Sequence, residues 1–208
     1  MNIRSLIPSR LRVAKLAISS LVLPALALSA CGSSEPPGTT PTKWAQQYCG
    51  AMVSWIASTQ SATSQLNTQV STATDPTTVK SDVLSHLAAR LSAVDTLIAQ
   101  IDKAGTPAIT DGPKISKSLN VDLQSYRSVI VASQGQLGAV SPTSSTNLYN
   151  SLNSIGNNID SSETALGNKL TALGKTFNAT GDQPLVTAMN SSKSCKQLSS
   201  QGLASPQG

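Results

Sequence analysis

Four long stretches of this chain repeat apolar residues at intervals of three and four, and this spacing sets the fold class. It places the apolar side chains of each stretch on one face of a helix, which must then pack against another helix. The stretches run from about 42 to 74, 77 to 104, 114 to 140 and 143 to 178. Long helices joined by short loops predict an all-α, up-down-up-down four-helix bundle.

Proline and small polar residues mark the predicted helix starts. Thr40-Pro41, Asp75-Pro76 and Ser141-Pro142 each place a capping side chain directly before a proline. The side-chain oxygen of such a residue accepts unpaired backbone N–H groups, and proline is tolerated in the first helical turn. Between the second and third helices, residues 105–113 are rich in glycine and proline and predict a loop.

The N-terminal segment has the composition of an export signal. Four basic residues precede an apolar run over residues 16–28, which is interrupted by two serines and a proline; the basic residues are Arg4, Arg10, Arg12 and Lys15. A membrane-spanning helix needs about 20 apolar residues, so this run is too short for one. A basic region, a short apolar region and small residues before a cleavage site are typical of a secretory signal.

The residues that close this segment, Leu28-Ser29-Ala30-Cys31, resemble the lipobox of bacterial lipoproteins. The resemblance implies that residues 1–30 are removed as a signal peptide and that Cys31 is lipidated as the first residue of the mature chain. It also implies localisation to the cell membrane, lipid-anchored, facing the extracytoplasmic side. An ordinary signal peptide followed by an unrelated cysteine is the alternative.

Further features resemble small, uncharacterised helical lipoproteins of the actinobacterial type. These are the tether after Cys31, Trp44 and Tyr48-Cys49 at the start of the first helix, and residues 194–198 near the end of the chain. This resemblance implies no particular activity. The expected organisation is a lipidated cysteine and flexible tether over residues 31–41, a helical domain over 42–198 and a disordered tail over 199–208.

Removal of the signal peptide changes the charge of the protein. The chain has 15 basic and 10 acidic residues, a net charge of +5. The signal holds four of the bases and no acid, so 11 bases and 10 acids remain and the net charge becomes +1. The remaining bases are scattered along the sequence, and this pattern does not indicate a nucleic-acid partner.

Two cysteines lie within the predicted domain, Cys49 and Cys195. An even number in an exported chain favours a disulfide. In the predicted topology the end of the fourth helix returns to the start of the first, and a short segment including residues 184–190 then brings Cys195 beside Cys49. The resulting disulfide closes a long loop and is expected to contribute about 4–5 kcal/mol to stability.

A few residues are candidates for a binding site. Arg90 lies within the apolar stripe of the second helix, where it needs a partner such as Glu163 or Asp122; it either sets the helix register or binds an anion in a groove between helices. An aromatic cluster in the first helix is either the best-packed end of the core or a binding surface. The cluster consists of Trp44, Tyr48 and Trp55.

Other features carry weaker signals. His86, the only histidine, has no further histidine or free cysteine to form a metal site and no motif of a nucleophilic enzyme around it. Gly156, Gly167 and Gly174 share one face of the fourth helix, which favours a close approach of another helix over an open groove. We therefore expect no catalytic residue, metal or cofactor.

Three functions remain open at this level. The first is a non-catalytic interaction module of the cell envelope, held at the membrane through Cys31. The second is a binder of a small apolar or amphipathic ligand in a crevice between helices. An envelope hydrolase is the third, and it has the least support.

Overall fold

The computed structural model describes residues 38–179 and 182–200, without the side chains of 177–179. These residues form six helices. Four are long and two are short: α1 (Pro41–Thr72), α2 (Pro76–Ala104), α3 (Gly112–Ala139), α4 (Ser145–Ala179), α5 (Gln183–Ser191) and α6 (Lys193–Ser200). The all-α class and the four long antiparallel helices are confirmed, and the predicted bounds of these four helices lie within two residues of the observed ones at every end.

The long helices pack in chain order, with α1 on α2, α2 on α3 and α3 on α4. The short helices α5 and α6 both pack on α1, and α5 also contacts α4. Within the described residues, no Cα atom of α1 lies within 8 Å of a Cα atom of α4. The first and fourth helices are therefore linked through the C-terminal segment.

The predicted disulfide joins α1 to α6. Cys49 and Cys195 are bonded across 146 residues of sequence, with their Cα atoms 5.0 Å apart. Both cysteines are buried, and α6 is held against α1 at this point. The prediction that a disulfide clasps the C-terminal segment is therefore confirmed.

The observed helix caps agree only in part with those predicted from the sequence. Asp75 caps α2 as expected, since its carboxylate accepts the backbone N–H of Thr78 at 2.9 Å. Thr40 makes no capping hydrogen bond with its side chain, and Ser144, rather than Ser141, accepts an N–H of the first turn of α4 at 3.4 Å. The Ser141-Pro142 pair belongs to a turn that precedes the helix, so the proline there marks the loop.

The start of the described chain is bonded to the loop between α2 and α3. The Thr39 N–H donates to the Thr106 carbonyl, and the Ala108 N–H donates to the Thr39 carbonyl, both at 2.8 Å. The Thr39 hydroxyl donates to the Ala104 carbonyl at 2.7 Å. We call this end of the bundle, with the start of α1, the α2–α3 loop and the end of α4, the tether end; the opposite end is the far end.

The buried side chains form two clusters. The larger cluster includes the disulfide and Trp44 and draws on all six helices. The smaller cluster lies towards the far end and has no residue from α1; its members are Leu87, Leu137, Leu148, Ile155 and Ile159. The buried residues of α1 end at Ile56, so the second half of this helix, residues 57–72, has only partly buried or exposed side chains.

The glycines of α4 do not mark a close helix approach, and this expectation was wrong. A Cβ atom added to Gly156, Gly167 or Gly174 would have no neighbour within 4 Å. The close approach occurs instead at Gly112, where an added Cβ would collide with the carbonyl oxygen of Pro107. That collision explains why glycine is needed where α3 begins beneath the loop.

Candidate functional site

Arg90, Tyr126 and Glu163 form a polar triad inside the bundle. The Arg90 guanidinium donates to the Tyr126 hydroxyl at 2.8 Å, and that hydroxyl donates to the Glu163 carboxylate at 2.9 Å. Arg90 also forms an ion pair with Glu163. Of the two partners that the sequence offered for Arg90, the structure selects Glu163, because Asp122 instead accepts from Lys169 at 2.7 Å.

The triad lies where the two apolar clusters meet. On α2, Arg90 is placed between Leu87 of the smaller cluster and Val94 of the larger one. From α1, the ring of Trp55 meets the ring of Tyr126 edge-on, with centroids 5.8 Å apart. All four long helices therefore contribute one large side chain to this level of the bundle.

Burial is unequal within the triad. The Arg90 side chain is 9 % exposed, whereas that of Glu163 is 37 % exposed and reaches solvent. The Nε atom of Arg90 is buried and has no hydrogen-bond partner among the described residues. Since a buried charge is stabilised only by well-placed partners, the pair with Glu163 is what keeps Arg90 within the core.

Two groups beside Arg90 have shifted pKa values. Burial and, to a smaller extent, the positive charge of Arg90 lower the pKa of His86 to about 4, although a hydrogen bond with the Ala62 carbonyl acts in the opposite direction. The His86 Nδ1 atom lies 3.2 Å from that carbonyl oxygen. Burial raises the pKa of Tyr126, although the charge and hydrogen bond of Arg90 oppose the shift. At neutral pH the site therefore holds a neutral imidazole and a neutral phenol.

The predicted aromatic cluster divides into two parts. Trp44 and Tyr48 are buried and stacked, with ring centroids 4.9 Å apart, and the Trp44 indole N–H donates to the Gly105 carbonyl at 2.9 Å. Burial raises the pKa of Tyr48 to about 12. These two rings are part of the core at the tether end, whereas Trp55 is only partly buried.

Trp55 forms one wall of an open groove of about 630 Å³ between α1 and α2. The rest of the lining is mainly alanine, serine and threonine, and these small side chains do not fill the groove. Its central lining residues are Ser54, Ser58, Ala62, Ala89, Ala93 and Thr96. A second, more open groove lies on the outer side of α2 and α3 and includes Asp95 and Gln134. Neither groove is lined by Arg90 or Glu163.

The candidate residues are thus distributed over three places. Arg90 and Glu163 form an internal bond, Trp44 and Tyr48 are core residues, and Trp55 borders a surface groove. The partner that sequence reasoning missed is Tyr126, which looked like one more apolar residue in the stripe of α3. The signal that could have indicated this role was Arg90 in the apolar stripe of α2, because a basic residue there requires a hydrogen-bonding partner on a facing helix. Cys31 and the signal segment lie outside the described residues.

Neither a metal-binding cluster nor a membrane-spanning helix is found in the described part of the chain. No group of three or more histidine, cysteine, aspartate or glutamate side chains there is placed to hold a metal ion. None of the helices there has the length and apolar character required to span a bilayer. Comparison with models of known protein families, with curated proteins and with solved structures found no match.

Proposed function

We propose that this protein is a membrane-anchored lipoprotein of the cell envelope and that it acts as a non-catalytic interaction module. The resemblance of Leu28-Ser29-Ala30-Cys31 to a lipobox supports the anchor. The outer surface of α1 and α2 supports the interaction role, because its groove of small side chains leaves room for a side chain or a short segment of a partner. This groove is the observation that carries the proposal.

The internal polar groups support a binding role rather than catalysis. Arg90 and Glu163 form an ion pair and both bond to Tyr126, so the two charges are paired with each other within the bundle. The imidazole of His86 has a backbone carbonyl as its hydrogen-bond partner rather than a nucleophile or a carboxylate. A general base is expected within hydrogen-bond reach of the group that it deprotonates.

The anchor is tested by comparing the full chain with Cys31→Ser in a bacterial host. We expect the wild-type protein to incorporate labelled palmitate, to fractionate with the membrane and to have the mass of a lipidated chain starting at Cys31. The variant should incorporate no label. A wild-type protein that is cleaved elsewhere, or that lacks lipid, would overturn the anchor.

The interaction role is tested by photo-crosslinking in intact cells. A crosslinking residue at Ser58 or Ser92, both exposed beside the groove, should give a discrete crosslinked product. The matched control is an exposed position on α3 away from the groove, Ala132. Products of equal yield at all three positions, or at none, would contradict a partner at the groove.

A second function, binding of a small amphipathic ligand, is supported by the position of Trp55 in the wall of the same groove. Because Trp44 is buried, a ligand in the groove should quench the fluorescence of Trp55 selectively. Titration of Trp44→Phe, which retains Trp55 as its single tryptophan, with short fatty acids or detergents tests this function. Saturable quenching that disappears in Ala93→Gln would support it, and the absence of quenching would exclude it for these ligands.

A further inference from the structure

The fold gathers lysines that are scattered in the sequence. Seven exposed lysines lie at the tether end, on the terminal turns of the long helices and on α6. They are Lys43 on α1, Lys103 on α2, Lys114 and Lys117 on α3, Lys175 on α4, and Lys193 and Lys196 on α6. Antiparallel packing produces this cluster, because the start of α1, the end of α2, the start of α3 and the end of α4 meet at the same end.

Few acidic residues offset these lysines. The tether end carries three acids, Asp102, Asp111 and Asp182, of which Asp182 is buried. Seven bases and three acids give this end a net charge of +4. Within the described residues, Lys114 alone among the seven lysines forms an ion pair, with Asp111 at 2.8 Å. Most of the positive charge at this end is therefore available to a partner.

The rest of the bundle carries no excess of positive charge, because its six acids outnumber its four bases and give a net charge of −2. In its middle part each basic side chain has a carboxylate partner: Arg90 with Glu163, Arg127 with Asp95 and Lys169 with Asp122. The far end carries one base, Lys80, and two acids, Asp75 and Asp82. The Lys80 ammonium donates hydrogen bonds to two backbone carbonyls at the end of α3. The described part of the protein is thus strongly polarised along its long axis.

The tether enters at the basic end. Gly38 and Thr39 are held there by the bonds between Thr39 and the α2–α3 loop, and only six residues separate Gly38 from Cys31. Even when fully extended, the seven residue steps from Cys31 to Gly38 span at most about 25 Å. An anchor at Cys31 therefore keeps the tether end close to the bilayer, where anionic headgroups attract lysine.

We propose that the tether end binds anionic phospholipid headgroups, so that the bundle stands on the membrane with its far end outward. The orienting consequence rests on the proposed lipid anchor, whereas the electrostatic attraction does not. Lysine side chains distributed around one end of a bundle form no concave site for a single ligand. They fit an extended surface of negative charge, to which each lysine contributes as a separate point charge.

The experiment uses residues 31–208 with Cys31→Ser, exported under an unrelated cleavable signal so that the disulfide forms. This part includes the compact unit from Pro36 to Gly208. Its sedimentation is measured with vesicles of phosphatidylcholine alone and with vesicles that contain about one third phosphatidylglycerol. We expect binding to the anionic vesicles only, and loss of that binding at salt near 1 M, where charges are screened within about 3 Å.

Two variants with equal changes in net charge locate the surface. Lys117→Gln, Lys193→Gln and Lys196→Gln together remove three positive charges at the tether end. The control combines Thr146→Glu, Asn150→Glu and Ser154→Glu, three exposed positions in the first turns of α4 at the far end. We expect the first variant to lose at least about tenfold in affinity, because each lysine near an anionic bilayer contributes on the order of a fivefold change, and the control to lose much less.

Circular dichroism and thiol labelling establish that both variants are folded with the disulfide closed. Equal losses in the two variants, or binding to both kinds of vesicle, would overturn the proposal. Binding to soluble polyglutamate without binding to anionic vesicles would also overturn it, in favour of an acidic protein or polymer as partner. Because this chain carries no lipid, failure of the proposed anchor at Cys31 would leave the vesicle result unchanged and is detected separately by the mass of the membrane-extracted protein.

Discussion

The two ends of this bundle differ in how firmly they are held. At the tether end, a disulfide, a buried aromatic stack and the bonds of Thr39 join α1, the α2–α3 loop and the C-terminal helices. At the far end, a small apolar cluster from α2, α3 and α4 provides the core, and α1 contributes no buried residue beyond Ile56. The difference shows that similar apolar stripes do not yield similar stability, because stability depends on how many partners each stripe meets.

The second half of α1, residues 57–72, illustrates this difference. Its serine and threonine hydroxyls bond to carbonyls of the preceding turn, as Thr63 does to Thr59 at 2.9 Å and Thr68 to Ser64 at 3.1 Å. Such local bonds satisfy the side chains without joining α1 to another helix. Hydrogen exchange should therefore be faster in the second half of α1 than in its first half, where the helix is covered by α5 and α6.

Opening the disulfide should have the largest effect on this comparison. The double variant Cys49→Ser with Cys195→Ser is expected to lower the free energy of unfolding by about 4–5 kcal/mol, since the loop it closes is long. Hydrogen exchange should show α5 and α6 losing protection before the far end does. The measurement is denaturant unfolding of the oxidised wild type against the variant, and equal stability of the two would contradict a structural role for the bond.

Breaking the polar triad tests the boundary between the two clusters. Glu163→Gln leaves the buried charge of Arg90 without its counter-ion, and we expect it to lower the free energy of unfolding by about 2 kcal/mol, less than for a fully buried pair because Glu163 reaches solvent. The control is the double variant Arg90→Met with Glu163→Leu, which removes both charges and should recover most of the loss. A double variant less stable than Glu163→Gln alone would show that the pair itself stabilises the fold.

Acid should weaken the same boundary through His86. Its pKa in the folded state is lowered to about 4 from 6.5, so its neutral form adds stability that is complete above pH 6.5 and lost as the pH falls towards 4. In His86→Gln, which cannot take up this proton, the acid-induced loss should be smaller by about 1–2 kcal/mol, a range that allows for partial exposure of the ring. Unfolding curves at a series of pH values measure the difference, and parallel profiles of the two proteins would contradict it.

The smallest change in stability is expected from substituting a glycine of α4, where the bundle is less tightly packed. Gly156→Ala is expected to stabilise the protein by about 1 kcal/mol, because alanine is the better helix former and the added Cβ meets no neighbour within 4 Å. Gly112→Ala at the tether end should be destabilising, since its Cβ collides with the Pro107 carbonyl. Thermal unfolding of both variants checks the signs, and a destabilised Gly156→Ala would mean that α4 is covered at this position.

Much of the helical structure was predictable because its causes are local. A repeat of apolar residues at three and four positions requires only the geometry of one helix, and the residues before Pro41 and Pro76 mark where two helices begin. The disulfide was also predictable, because two cysteines and an antiparallel order of four helices leave one pairing that closes the bundle. In the candidate site, the position of Arg90 within an apolar stripe already required a partner.

The sequence by itself therefore determined the four long helices, their order and the need of Arg90 for a counter-charge. Only the tertiary structure decided that Glu163 and Tyr126 meet this need, that α5 and α6 lie against α1, and that seven scattered lysines share one end. The physical reason is the range of the forces involved. Helix formation depends on residues within four positions of each other, whereas a charge surface or an interhelical bond depends on which helices become neighbours.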